Sequence, residues 1–121
     1  MYNYLNPVTI ISAGDMSQAS LTSLVVDARG LHSLALQFVF TGTPTGVFTV
    51  QGSLDYCMDN VHTPNAGTWT PLNIDPVPVA SGTTGNVIID LVQVGVPYIQ
   101  VVYTSSAGAG SLTVTASGKV F

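Results

Sequence analysis

Four residues within "DYCMDNVHTPNAG" carry side chains that can do chemistry: Asp55, Cys57, Asp59 and His62. A cysteine nucleophile needs a histidine near enough to hold it as thiolate and a third group to orient that base. Such groups usually come from separate rigid elements, whereas these all lie on one polar connection. As metal ligands they fare no better. The C-x4-H spacing supplies two ligands without a second Cys or His pair, His32 stands on a different element, and the aspartates lack the glycine and terminal glutamate of an EF-hand loop. A weak surface calcium site is the most that the spacing allows. No G-x-S-x-G, P-loop or dinucleotide fingerprint occurs, and the Gly-rich "SAGAGS" precedes no helix. The expectation is a surface loop with a lone thiol, on a protein that is not an enzyme and holds no cofactor or metal.

The elements around that loop read as strands. In "LHSLALQFVF", Leu34, Leu36, Phe38 and Phe40 share one face, and Ser33, Ala35, Gln37 and Val39 the other. In "GVFTVQGSLD", Phe48, Val50 and Leu54 oppose Thr49, Gln51 and Ser53. This is the period of two expected of half-buried strands. Between these runs lies "TGTPTG", where Pro44 fixes its own φ and Gly42 and Gly46 permit positive φ, so a hairpin is expected. A second hairpin is expected at "DARG", with Gly30 taking positive φ. The same grammar recurs in "PVTII", "SLTSLVVDARG", "TWTPL", "VPVAS", "NVIIDLV", "YIQVVYTSS" and "SLTVTASGKVF". Helix evidence is confined to a turn or two around "DMSQASL", where Asp15 could cap. The fold class is therefore all-β: a single β-sandwich of about eight strands spanning residues 1–121, with jelly-roll and immunoglobulin-like topologies equally open.

Composition narrows the partners. The 121 residues are 46% hydrophobic but only 7% charged, with no glutamate, and the net charge is −4. Soluble domains usually carry about 25% charged residues. A surface of hydroxyls, amides and glycine suits contact with another protein; a monomer in a harsh extracellular setting is the other reading. With Arg29 and Lys119 as the only cations, direct nucleic-acid binding and attachment to an anionic membrane are not expected. The N-terminus shows no secretory signal pattern, and Cys57 has no partner for an internal disulfide.

Few charges punctuate the strands, so long Thr- and Val-rich edges need covering; Lys119, near the end of the last strand, is placed to guard one. Residues 1–7, "MYNYLNP", put Tyr2, Tyr4 and Leu5 ahead of a proline and outside the period-two pattern. They read as an arm laid on a neighbour, a frayed terminus or an added edge strand. Trp69, with Tyr56, Tyr98 or Tyr103 nearby, is either a platform for a sugar ring or a packing residue over one end of the core.

"DARGLHSLALQFVFTGTPTGVFTVQGSLD", "TWTPLN" and "IIDLVQVGVPYIQVVYTSSAGAGSLTVTASGK" together resemble the head decoration, or cement, proteins of tailed bacteriophages over roughly residues 20–119. The resemblance implies a non-enzymatic protein made in the host cytoplasm and carried on the capsid exterior. It would act there as a small homo-oligomer, a trimer or dimer, bridging copies of the major capsid protein. Partner contacts would then come from Tyr2, Tyr4, Leu5, Arg29, Tyr56, Met58 and His62. Where that pattern passes to the Trp strand through a short turn, this chain has the longer "YCMDNVHTPNAG" insertion. The alternative is a tail, fibre or baseplate module that binds host-surface carbohydrate through Trp69.

Overall fold

The computed structural model describes residues 4–57, 63–74, 78–91 and 94–119, with residues 4–6 described by their backbone. The sequence expectations for Tyr2, Met58, Asp59 and His62 therefore lie outside the described residues. Among the described residues ten strands form: β1 Tyr4–Asp15, β2 Ser20–Thr22, β3 Val26–Asp27, β4 Ser33–Gly42, β5 Thr45–Ser53, β6 Thr70–Pro71, β7 Val79–Ser81, β8 Gly85–Leu91, β9 Tyr98–Ala107 and β10 Gly110–Lys119. They make two antiparallel sheets. One has the order β1-β10-β4-β8; the other runs β2-β9-β5-β6, with β3 also on β9 and β7 also on β5.

Setting aside the two-residue β3 and β6 leaves eight strands, as the sequence suggests. Among them the first pairs with the last, the second with the seventh, the third with the sixth and the fourth with the fifth. This is a ribbon folded in half and wrapped, which selects the jelly roll of the two topologies that the strand pattern left open.

The alternating residues meet between the sheets. Leu34, Leu36 and Phe38 of β4 and Leu112, Val114 and Ala116 of β10 are fully buried against Phe48 of β5 and Ile99, Val101 and Tyr103 of β9. Phe48 sits at the centre, with ring centroids 4.9 Å from Phe38, 5.5 Å from Phe40 and 5.1 Å from Tyr103. Burying each such side chain contributes about 1.5–3 kcal/mol. Tyr103 thus belongs to the core and not to a loop platform.

Both expected hairpins are instead crossings between sheets. β4 pairs with β10 and β8, whereas β5 pairs with β9, β6 and β7, so "TGTPTG" carries the chain from one layer to the other. Period-two patterning cannot distinguish these cases, because a strand lying beside its predecessor and one lying across the core alternate identically. The hydrogen bonds decide it. Thr43 N–H donates to Ala109 O (2.9 Å) and Gly82 N–H to Pro44 O (2.7 Å), while Met16 N–H donates to Gly110 O (2.9 Å). Four crossings, β1 to β2, β9 to β10, β4 to β5 and β7 to β8, therefore stack at one end. The stack is tight enough that a Cβ on Gly108 would overlap the Thr43 carbonyl, and one on Gly110 the Thr41 carbonyl.

The "DARG" segment likewise leaves β3, in the second sheet, for β4 in the first, with Gly30 at φ 80° as expected. At the edge between the layers, Ser23 N–H donates to Val101 O (2.9 Å), and the next residue, Leu24, donates to Ile10 O (3.1 Å), lacing β9 to β1.

Four further expectations are decided by the structure. From Tyr4 onward the N-terminal segment is the edge strand β1, with Tyr4 opposite Lys119 and Leu5 opposite Gly118, which is the added edge strand among the three readings left open. Lys119 lies on β10, which β1 and β4 flank, so it guards no edge. Leu54 follows the end of β5 and is 77% exposed instead of continuing the core face. Asp15 caps a turn and no helix: its carboxylate accepts from Ser17 N–H (2.9 Å) and the Ser17 hydroxyl (2.6 Å).

Candidate functional site

The end opposite the stacked crossings gathers most of the residues singled out in the sequence. Here β3, the connection after β5 and the start of β9 converge, because Asp27 pairs with Tyr98 and Ser53 pairs with Tyr98 from the other side. Asp27 takes Arg29 in a forked ion pair, Nε to Oδ1 at 2.9 Å and NH2 to Oδ2 at 2.8 Å, and also accepts from Arg29 N–H (3.1 Å). These bonds, led by the side-chain ones, hold the Asp27 carboxyl below the usual carboxylate range. The pair is exposed, at 64% and 53%, so it orients Arg29 more than it stabilises the fold.

From Arg29 a continuous band of rings follows. The guanidinium carbon lies 5.5 Å from the Tyr98 ring centroid, within cation–π range. Tyr98 meets Tyr56 edge-on at 5.0 Å, and Tyr56 meets Trp69 at 5.7 Å and 53°. Trp69 Nε1–H donates to Ala66 O at 2.9 Å. The rings brace one another at steep angles and do not form one flat platform. The sequence sets Tyr56 and Tyr98 with Trp69 as candidates and Arg29 apart from them; the register of β9 against β3 and β5 joins all four.

The two described members of the reactive-looking cluster, Asp55 and Cys57, serve as loop scaffolding. Asp55 accepts hydrogen bonds from Thr68 N–H (2.7 Å), the Ser53 hydroxyl (2.8 Å) and the Thr68 hydroxyl (3.0 Å). The Thr68 amide first and the Ser53 hydroxyl next hold its carboxyl below the usual range. A carboxylate so saturated is a poor proton acceptor and a good staple. The half-buried Cys57 exchanges backbone hydrogen bonds with Asn65, N–H to O at 2.9 Å and 2.7 Å, which pinches the insertion at its base. Among the described residues no group of three or more His, Cys, Asp and Glu side chains could hold a metal ion.

Beside this band lies a feature that the sequence did not reveal, a cleft of about 560 Å³ lined by Gly52, Leu54, Asp55, Thr68, Pro71, Leu72 and Val96 among others. A smaller hollow of about 250 Å³ lies on the other side of Pro71 and Leu72, over Phe48 and Val50. The cleft draws its walls from three connections far apart in sequence. Leu54 is in step with Phe48 and Val50 in the sequence yet exposed in the fold, so period-two patterning gave no sign of the cleft.

The second feature is the outer face of the β1-β10-β4-β8 sheet. It presents Ser111, Thr113, Thr115 and Ser117 of β10, Ala35, Gln37 and Val39 of β4, and Asn86, Ile88 and Asp90 of β8. Asp90 is the only carboxylate in that group; Lys119 ends β10 with the same alternation, and Asp15 of β1 lies opposite Ser111. Such a face meets another protein at small electrostatic desolvation cost.

The sequence matches no family model and no curated protein. By structure, the chain is similar to the SPBc2 prophage-derived protein YomS, with a TM-score of 0.66 and 14% identity over 98% of this chain and 95% of that one. It is also similar to a chain in the structure of infectious bursal disease virus Gx strain, with a TM-score of 0.52 and 10% identity over 98% of this chain and 32% of that one. A chitosan-binding module from a Paenibacillus sp. IK-5 chitosanase/glucanase aligns at a TM-score of 0.47 and 14% identity over 91% of this chain and 74% of that one, too distant to bear on ligands. The chain thus shares its β-sandwich fold with a prophage-derived protein and with part of a viral protein.

Proposed function

We propose that this chain is a structural protein of a bacteriophage virion that decorates the capsid exterior and stabilises it by bridging copies of the major capsid protein. The observation that carries the reading is the shared fold with a prophage-derived protein along nearly the whole of both chains. The nearly charge-free outer sheet face supports it, since a protein laid on a shell at many equivalent sites can use modest contacts multiplied by avidity. Purified protein should bind expanded capsids of its own phage and raise the temperature at which they rupture. With so few charges in the contact, affinity should change little between low and high salt. Absence of binding, together with unaltered heat resistance of capsids lacking the protein, would overturn the proposal.

The cleft beside Asp55 and Thr68 favours one other reading, a tail, fibre or baseplate module for host-surface carbohydrate. Trp69 does not line that cleft; it braces Tyr56 and the Ala66 carbonyl. Leu54→Arg, an exposed change in the wall of the cleft, separates the cases: glycan binding by the wild type that this variant loses with an intact fold supports the module, whereas a wild type that binds no glycan overturns it.

A further inference from the structure

We propose that two copies of this chain pair through the free edge of β8, antiparallel and two-fold symmetric about Ile88, joining the β1-β10-β4-β8 sheets of both copies into one. Every sheet has edges, and an open one is a template for another strand. Here all but one are blunted. The pairing of β1 with β10 is broken by three register shifts, and β1 contains Pro7 and a positive φ at Ala13. In the other sheet β2, β3, β6 and β7 have three residues or fewer, and β6 contains Pro71.

β8 is different. Its seven residues pair with β4 without a shift, from Gly85 opposite Phe40 to Leu91 opposite Leu34. It contains no proline, and among the described residues no further strand pairs with it. Val87, Ile89 and Leu91 pack against the core but stay partly exposed at its rim, and Ile88 on the outer face is 64% exposed.

The segment complements itself. With Ile88 opposite its own copy, Val87 meets Ile89, Asn86 meets Asp90 and Gly85 meets Leu91. β-Branched residues then face β-branched residues, and the single charge of the strand faces an amide that can donate to it. Other registers lose this match: centring on Ile89 sets Asp90 against Ile88, centring on Asp90 sets two carboxylates together, and a one-residue slip points outer side chains inward. This near-palindrome identifies the occupant as a second copy and not an unrelated strand, and it makes the contact isologous.

Sedimentation velocity of the purified protein tests the pairing without any capsid, so its outcome is independent of the decoration reading. The wild type should dimerise. Asn86→Asp, which opposes two carboxylates at each of two symmetry-related positions, should weaken the dimer about tenfold or more, and Asn86→Lys should tighten it, with unchanged circular dichroism. In a Cys57→Ser background, Ile88→Cys should form a disulfide-linked dimer on mild oxidation, because residues directly opposite lie within disulfide reach, while Val39→Cys one strand inward should not. A wild type that stays monomeric at about 100 µM, a closed trimer, or a dimer indifferent to Asn86→Asp would overturn the inference.

Discussion

Replacing Tyr103 with phenylalanine should make the protein more stable, although it deletes the largest polar group in the core. Tyr103 is fully buried, packed on Phe48, and its hydroxyl has no hydrogen-bond partner among the described residues. The ring tip presses on β5 where it has no side chain: a Cβ on Gly46 would lie 2.7 Å from the Tyr103 hydroxyl. Leaving a buried hydroxyl unsatisfied costs about 1–3 kcal/mol. Removing the oxygen opens a void of roughly 10–15 Å³, which at about 24 cal/mol per Å³ takes back about 0.3 kcal/mol. The net gain is about 1 kcal/mol, and at about 2.1 cal/mol/K per residue the melting temperature should rise by about 4 °C. Urea unfolding followed by tryptophan fluorescence and calorimetry reads both numbers, with the m-value unchanged. A Tyr103→Phe protein less stable than wild type by about 0.5 kcal/mol or more would refute the reasoning, since it would mean that the hydroxyl is satisfied in solution.

The stacked crossings predict a contrast between glycines. Gly110→Ala drives a Cβ into the Thr41 carbonyl and should cost about 3 kcal/mol. Gly30→Ala meets nothing within 4 Å and should cost only the positive-φ penalty of about 1 kcal/mol, read by the same urea titration. Asp55→Asn keeps the shape but weakens the acceptor for the Thr68 amide and hydroxyl, so limited proteolysis should cut between residues 55 and 68 faster than in wild type. Asp15, Asp27 and Asp55 all have carboxyls held below their ordinary value of 3.8. Their contribution is therefore fully present above the unfolded value and lost as pH falls through the folded ones. Melting temperatures should be flat from about pH 5 to 8 and drop below about pH 4; a shift of many degrees within the flat range would contradict this.

Much of the fold was legible because each strand carries its own evidence. Leu34, Leu36, Phe38 and Phe40 declare a face, and the Gly and Pro residues declare where strands stop. What a strand cannot declare is its neighbour. The two crossings read as hairpins have suitable turn residues, and only the strand pairing, β4 with β10 and β8 but β3 and β5 with β9, shows that the chain changes layers. The candidate site was legible as a list of residues and illegible as a place. Arg29, Tyr56, Tyr98 and Trp69 come from widely separated positions, and their union depends on strand register. Asp55 misled for a related reason: its type suggests reactivity, while its three hydrogen-bond donors, two of them from Thr68, make it structural.

The pairing of first strand with last, second with seventh and so on inward has a kinetic consequence. Each of these four pairs closes a loop that contains the pairs inside it, so the innermost, β5 with β7, can form early, and every later one spans more chain. β10, the final strand, then enters between β1 and β4. Until it arrives, β1 has no partner in its sheet, and the core-facing Phe38 and Phe40 of β4 have a bare flank. Folding is therefore a closing of nested clasps from the inside out, slow by the standard of small domains. A ribosome making this chain must release it through Lys119 before the first sheet can be completed.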